Sequence, residues 1–133
     1  MNTVNAEMFI AADGDDVGSR IELFILKGQM AELKEYSEKF NSSIDWLIDM
    51  LIAEFNATIY LKGGDSILVG MLNAAEIYNL IENLRQQFSQ KSGNSLSVGI
   101  GHSPLDAYLA LKYAKASGKN CIRLYSDLNN NHS

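Results

Sequence analysis

The stretch that decides the fold is Ala57-Thr58-Ile59-Tyr60-Leu61, Lys62-Gly63-Gly64-Asp65, Ser66-Ile67-Leu68-Val69-Gly70-Met71. Its outer segments are apolar and β-branched, and its middle is a glycine turn, so it reads as a β-hairpin. Upstream, apolar residues at Leu33, Tyr36, Phe40, Ile44, Leu47, Leu51 and Phe55 keep one helical face aligned. Asn41-Ser42-Ser43 has the look of a break, with Ser42 and Asp45 able to form a capping box, but the unbroken phase favours one long helix. Further upstream, Met8-Phe9-Ile10-Ala11-Ala12 is a buried strand that stops abruptly at Asp13-Gly14-Asp15-Asp16. A short helix follows from about Val17 to Lys27, and Gly28 can end it.

Downstream, Asn73 and Glu76 read as the cap of a helix with the stripe Ile77, Ile81, Leu84 and Phe88, ending at Ser92-Gly93-Asn94. Leu96-Ser97-Val98-Gly99-Ile100 is a strand. Ser103, Pro104 and Asp106 start another helix, which runs to about Ser117 and Gly118. Cys121-Ile122-Arg123-Leu124-Tyr125 closes as a strand. The order is β-α-α-β-β-α-β-α-β. It predicts an α+β, ferredoxin-like arrangement: an antiparallel sheet with helices on one face. In that topology the first strand lies beside one hairpin arm, and its end meets the hairpin turn.

The 133 residues suit a single domain (1–133, core about 8–125), and 47% are hydrophobic, enough for a core without staples. Cys121 is the only cysteine, which excludes an internal disulfide framework and suits a reducing compartment. The net charge of −5 and the lack of a basic stripe exclude a long duplex-binding surface. Neither a signal peptide nor an apolar run of membrane-spanning length is present, so the expected address is the cytoplasm. The tail from Asp127 to Ser133 is polar and expected to fray.

Two acidic turns are thus expected at one sheet edge: Asp13-Gly14-Asp15-Asp16 and Gly63-Gly64-Asp65. Carboxylates brought together repel, and a hard cation relieves this. Mg²⁺ takes oxygen ligands, commonly one or two protein carboxylates plus substrate phosphates. Asp13 and Asp65 are the expected pair, with Gly14 adding its carbonyl. Gly63 and Gly64 leave room for a phosphate or sugar near the backbone. The helix entered at Val17-Gly18-Ser19 offers free N–H groups to anionic oxygens. Asp15 and Asp16 either join the site or cap that helix. Lys115 and Lys119 either complement a helix dipole or clamp the outer phosphates of a triphosphate. Asp-Gly and Gly-Gly-Asp are also ordinary turn chemistry.

Rival motifs fail at defined positions. An EF-hand beginning at Asp13 needs an acid or amide at Val17 and a glutamate at Phe24. A P-loop around Gly118-Lys119 needs glycine at Tyr113 and Ser or Thr at Asn120. Gly99-Ile100-Gly101 has Pro104 where a dinucleotide fingerprint needs glycine. His102, His132 and Cys121 do not form a zinc pattern. Asp13-Gly14-Asp15-Asp16-Val17 resembles the first motif of haloacid-dehalogenase-type phosphatases, but Val69 stands where that family's later motif has a second aspartate.

The chain resembles the nucleotide-cyclase palm shared by GGDEF-type diguanylate cyclases and the polymerase-like subunit of type III CRISPR complexes. Leu96-Ser97-Val98-Gly99-Ile100-Gly101, Asp106-Ala107, Ala110-Leu111, Ala114-Lys115 and Gly118-Lys119-Asn120 follow the C-terminal GGDEF pattern. Gly63-Gly64-Asp65-Ser66 matches the signature turn in part: Ser66-Ile67 replace Glu-Phe. Ala12-Asp13-Gly14-Asp15-Asp16-Val17-Gly18 is closer to the CRISPR version, and the whole is most similar to the stand-alone minimal CRISPR polymerase (mCpol) family over about residues 8–125. The resemblance implies a nucleotidyltransferase making a cyclic di- or oligonucleotide second messenger in antiviral defence. It implies ATP as substrate, Mg²⁺ or Mn²⁺ as cofactor and a cyclic-nucleotide-responsive effector downstream. Asp13, Gly14 and Asp65 match the family's metal ligands, and Lys115 and Lys119 its phosphate-binding pair. Asp15, Asp16, Val17, Gly63, Gly64 and Ser66 complete the expected nucleotide site. Cyclisation needs a second nucleotide, which makes a homodimer with facing sites one expectation. The alternatives are a degenerate nucleotide-binding sensor or adaptor, motivated by Ser66, and a small metal-dependent phosphatase, motivated by Asp13-Gly14-Asp15.

Overall fold

The computed structural model describes residues 7–72 and 75–130. Its elements are β1 (Glu7–Gly14), α1 (Val17–Leu26), α2 (Met30–Phe55), β2 (Thr58–Gly63), β3 (Ser66–Leu72), α3 (Ile77–Ser92), β4 (Leu96–Gly101), α4 (Pro104–Ala116), β5 (Ile122–Leu124) and α5 (Tyr125–Asn130). One sheet has the order β2-β3-β1-β4-β5. The α+β class and the element order are those read from the sequence, with α5 added. α2 is one continuous helix through Asn41-Ser42-Ser43, because its buried face never loses phase and Ser43 turns its hydroxyl back onto the Lys39 carbonyl (2.8 Å).

Three details differ from expectation. First, the helices cover both faces of the sheet. β1 is central, so its side chains alternate between two cores. Met8, Ile10 and Ala12 meet α2 and α3, while Phe9 and Ala11 meet Ala107 of α4. Second, β4 and β5 pair in parallel, since a helical crossover returns the chain in the same direction. Third, Tyr125–Asn130 form a helix where a polar tail was expected: α5 packs against α4, and Asp127 accepts the Leu124 N–H (3.1 Å). The start of α3, at Ile77, also differs from the reading. Asn73 lies outside the described residues, and Glu76 takes the N-cap position in a left-handed conformation without a side-chain cap. The other helix start behaves as read: the Ser103 Oγ accepts the Asp106 N–H (3.1 Å) ahead of Pro104.

α4 lies unusually close to the sheet. Ala107, Ala110 and Ala114 are fully buried beneath it. A Cβ on Gly99 would sit 2.2 Å from the Leu111 nitrogen and 2.3 Å from the Ala107 carbonyl oxygen. One on Gly101 would sit 2.6 Å from the Ala107 nitrogen. The Gly-Ile-Gly of β4 is therefore a helix-docking surface of small residues. It sets how far the last turn of α4 reaches toward the end of β1.

These contacts are with backbone, which cannot step aside. Gly99→Ala is expected to cost about 3 kcal/mol or more, at the upper end of overpacking penalties. Gly18→Ala in α1, where a Cβ meets open space, is expected to gain about 0.5–1 kcal/mol from helix propensity. Urea unfolding of the two variants checks both.

Candidate nucleotide and metal site

The site forms where β1 ends beside the hairpin turn. The register pairs Asp13 with Ser66, and the Gly14 N–H donates to the Asp65 carbonyl (2.9 Å). β2 runs two residues further than expected, to Gly63, leaving Gly64-Asp65 as the turn between the paired Gly63 and Ser66. Gly64 has φ +58°, which glycine adopts without strain. The Ser66 hydroxyl donates to Asp13 Oδ1 (2.8 Å). Gly14 leaves no room for a side chain, because a Cβ there would lie 2.8 Å from Val17 and 2.9 Å from Phe40.

Lys115, from the last turn of α4, enters this corner from the other side. Its ammonium lies 3.1 Å from Asp13 Oδ2 and 2.8 Å from Asp15 Oδ1, and it donates to the Gly14 carbonyl (3.1 Å). Asp15 is 4% exposed. It also accepts from the Ser97 hydroxyl (2.6 Å, Oδ1), the Ser95 hydroxyl (2.7 Å, Oδ2) and the Asn120 N–H (2.9 Å, Oδ2). Burial alone would push its pKa up. The four hydrogen bonds, Lys115 first, outweigh burial and hold the carboxyl below its ordinary value. Lys115 is likewise pushed down by burial, but its bonds to Asp15 and Asp13 leave it above the ordinary lysine value.

Asp65 behaves oppositely. Burial and then the charge of Asp13 raise its pKa. Asp13 and Asp65 therefore share a corner with one ammonium, and Lys115 offsets only part of the burial and repulsion felt by Asp65. The donor set suits a hard divalent cation: carboxylate and carbonyl oxygens with no imidazole or thiolate among them. No group of three or more His, Cys, Asp or Glu poised for a metal exists among the described residues.

A cleft of about 290 Å³ opens beside Asp65. Val17, Gly18 and Gly64 line it, together with Ile21, Tyr36, Ser37, Phe40 and Asn41 of α1 and α2. The first backbone bond of α1 runs from the Arg20 N–H to the Asp16 carbonyl (3.0 Å), so the N–H groups of Val17, Gly18 and Ser19 precede the helical ladder. The α2 side of the cleft was missed from sequence. Ser37 and Asn41 are four apart on the polar flank of the buried stripe, a spacing that marks one helix face but names no ligand.

Asp13, Gly14, Asp15, Ser66 and Lys115 thus meet at one point, with Asp65 shared between that point and the cleft. Asp15 is a buried anchor and not an open ligand. Asp16 holds the N-cap position of α1 without a side-chain cap bond; its carboxylate pairs with Lys119 at the surface. Lys119 does not join Lys115. Gly63 lies one residue behind the turn.

A five-stranded sheet of this order, with paired carboxylates at the β1–hairpin corner and a cleft under α1, defines a palm domain of the nucleotide-cyclase type. A family profile for the minimal CRISPR polymerase domain (mCpol) matches residues 9–125, and the chain belongs to that family. Among solved structures it is similar to the active GGEEF domain of a diguanylate cyclase from Vibrio cholerae (18% identity, TM-score 0.62, 90% of this chain and 82% of that one). It is also similar to the GGDEF domain of DgcB from Caulobacter crescentus in complex with c-di-GMP (16% identity, TM-score 0.63, 90% and 78%). A third neighbour is the Csm1-Csm4 cassette in complex with one ATP (19% identity, TM-score 0.63), where 88% of this chain spans only 20% of that one. At these identities the likeness is one of fold. No curated protein aligns with the chain at a significant level. No helix among the described residues is long and apolar enough to cross a membrane.

The raised pKa of Asp65 means that ionising it opposes folding, so its unfavourable contribution is absent below the ordinary value of 3.8 and grows as pH rises through the raised one. Asp65→Asn is therefore expected to raise the melting temperature at pH 7 in metal-free buffer, with the gain vanishing toward pH 3.8. Asp15 has the reverse sign: its stabilisation is full above 3.8 and is lost as pH falls through its lowered value. Asp15→Asn is expected to destabilise by about 3 kcal/mol at pH 7, since it removes the buried anion that Lys115, Ser95, Ser97 and the Asn120 N–H all address and leaves Lys115 with Asp13 as its one ion-pair partner among the described residues. Thermal scans against pH measure both.

Proposed function

We propose that the protein is a nucleotidyltransferase that joins nucleoside triphosphates, preferably ATP, into a cyclic di- or oligonucleotide. The observation that carries this reading is the convergence of Asp13 and Asp65, distant in sequence, at one corner, with Asp65 also lining the cleft beside the start of α1. Membership of the mCpol family supports it. The ATP bound in the Csm1-Csm4 neighbour supports the choice of nucleotide.

In this reading the cleft between α1 and α2 takes the nucleoside, and the phosphates lie across Gly64 toward the N–H groups of Val17 and Gly18. Asp13 and Asp65, with the Gly14 carbonyl, would hold Mg²⁺ or Mn²⁺. The ion would lower the pKa of the attacking ribose hydroxyl and offset charge on the α-phosphate and the leaving pyrophosphate. Ser66 fixes the orientation of Asp13 through Oδ1. Lys115 neutralises Asp13 and Asp15 in the free protein; with a divalent cation on Asp13 it would stay on Asp15 and face the phosphates from there. Lys119 approaches the outer phosphates once released from Asp16, a surface pair of little strength. Catalysis is then mostly positioning and charge stabilisation. The product serves as a cytoplasmic signal in antiviral defence, read by a separate effector, and closure of its ring draws a second nucleotide from a facing copy of the chain.

A second reading has an observation behind it. Ser66 stands where an acidic residue would add a ligand, which favours a chain that binds nucleotide without turning it over. The phosphatase reading loses support, because the motif behind it uses Asp15, and that carboxylate is almost sealed from solvent and engaged by Lys115, Ser95, Ser97 and the Asn120 N–H.

Incubation with each of the four ribonucleoside triphosphates and Mg²⁺ or Mn²⁺, followed by mass spectrometry, tests the proposal. ATP is expected to yield pyrophosphate and a cyclic product. Asp13→Ala and Asp65→Ala are expected to lower turnover by at least about a hundredfold while leaving the fold intact. Binding without pyrophosphate release would establish the sensor reading, and full turnover in both variants would remove the metal roles.

A further inference from the structure

Arg85 is a charged residue that α3 places inside the fold, at 9% exposure. The apolar stripe of α3 is already complete without it, so the core does not require a guanidinium there. Glu82 takes two of its donors, with Nε at 2.8 Å and Nη2 at 2.6 Å. That bidentate pair could satisfy the charge by itself. The remaining donor, Nη1, goes instead to the side-chain carbonyl of Asn120.

Asn120 ends a run of three residues with positive φ: Gly118 at 111°, Lys119 at 67° and Asn120 at 51°. Left-handed residues other than glycine persist only where their surroundings hold them. The Asn120 backbone N–H donates to Asp15 Oδ2 (2.9 Å) and to the Ser97 hydroxyl (3.2 Å). The other oxygen of Asp15 receives Lys115, which also lies on Asp13. A continuous chain of polar contacts thus runs from Glu82 on α3, through Arg85, Asn120, Asp15 and Lys115, to Asp13.

We propose that Arg85, oriented by Glu82, is a positioning residue for this site. It holds the left-handed turn 118–120, so that the Asn120 N–H stays on Asp15 and Lys119 leaves the turn beside the entrance to α1. The role in turnover rests on the nucleotidyltransferase reading; the role in holding the turn does not.

The test uses the full chain and four variants: Arg85→Met, Asn120→Gly, Asn120→Asp and the double variant Arg85→Met/Asn120→Gly. Glycine accepts the φ at position 120, so it removes the acceptor without adding backbone strain. Two quantities are read: kcat/KM with ATP and Mg²⁺, and the exchange rate of the Asn120 amide hydrogen by NMR. Arg85→Met and Asn120→Gly are each expected to lower kcat/KM about tenfold or more, as small misplacements of binding groups do. The double variant is expected to be no worse than the poorer single one, because both cut the same link. Asn120→Asp keeps an acceptor for Arg85 and is expected to retain most of the activity. In Arg85→Met the Asn120 amide is expected to exchange about tenfold faster, with the β1 amides unchanged. Unchanged turnover and unchanged protection in Arg85→Met would overturn the proposal. So would additive losses, or faster exchange spread evenly over the molecule. If the unmodified chain forms no product from any triphosphate, the nucleotidyltransferase reading fails, and the Asn120 amide in Arg85→Met still decides whether Arg85 holds the turn.

Discussion

The buried carboxylate of Asp15 is the constraint on which the corner depends. It is charged, almost sealed from water, and bonded to Lys115, Ser95, Ser97 and the Asn120 backbone. Those partners come from α4, the start of β4 and the turn before β5. One side chain therefore ties the end of β1 to three later parts of the chain. A buried charge is tolerable only when paired and fully hydrogen-bonded, so each partner is held to its place as firmly as the carboxylate itself.

That corner could not close if α4 stood at an ordinary distance from the sheet. Gly99 and Gly101 on one side, and Ala107, Ala110 and Ala114 on the other, bring helix and strand into backbone contact. Lys115 follows directly on Ala114. Its ammonium reaches Asp13 and Gly14 because the preceding turns of the helix lie flat on β4. Packing of small residues and placement of a cation are thus one feature, not two.

The electrostatics follow from that placement. Asp13, Asp15 and Asp65 crowd a region served by one half-buried ammonium. Asp15 is satisfied, while Asp65 is left with burial and the field of Asp13 against it. The imbalance sits at the edge of the cleft, beside the start of a helix. In the proposed function, a divalent cation carrying phosphate oxygens would balance it, which reconciles an acidic chain with a polyanionic ligand.

Much of this was legible in the amino-acid order. Period-two and helical periodicities gave the element order, and the run from Met8 to Ala12 ending at Asp13 gave a buried strand with chemistry at its tip. The spacing of the hairpin placed the turn Gly63-Gly64-Asp65 against that tip, and the register narrowed it to Gly64-Asp65. These are local signals, carried by residues within a few positions of each other. Sequence order could not say that α4 crosses to the opposite face, that β5 runs parallel to β4, or that Asp15 is an anchor while Asp65 stays open. Nor could it find Ser37 and Asn41 beside the cleft, or Arg85 reaching Asn120 across 35 positions. Burial and partnership belong to the assembled chain: whether a carboxylate is a ligand, a cap or a buried anchor depends on which distant groups the fold brings within three ångströms of it.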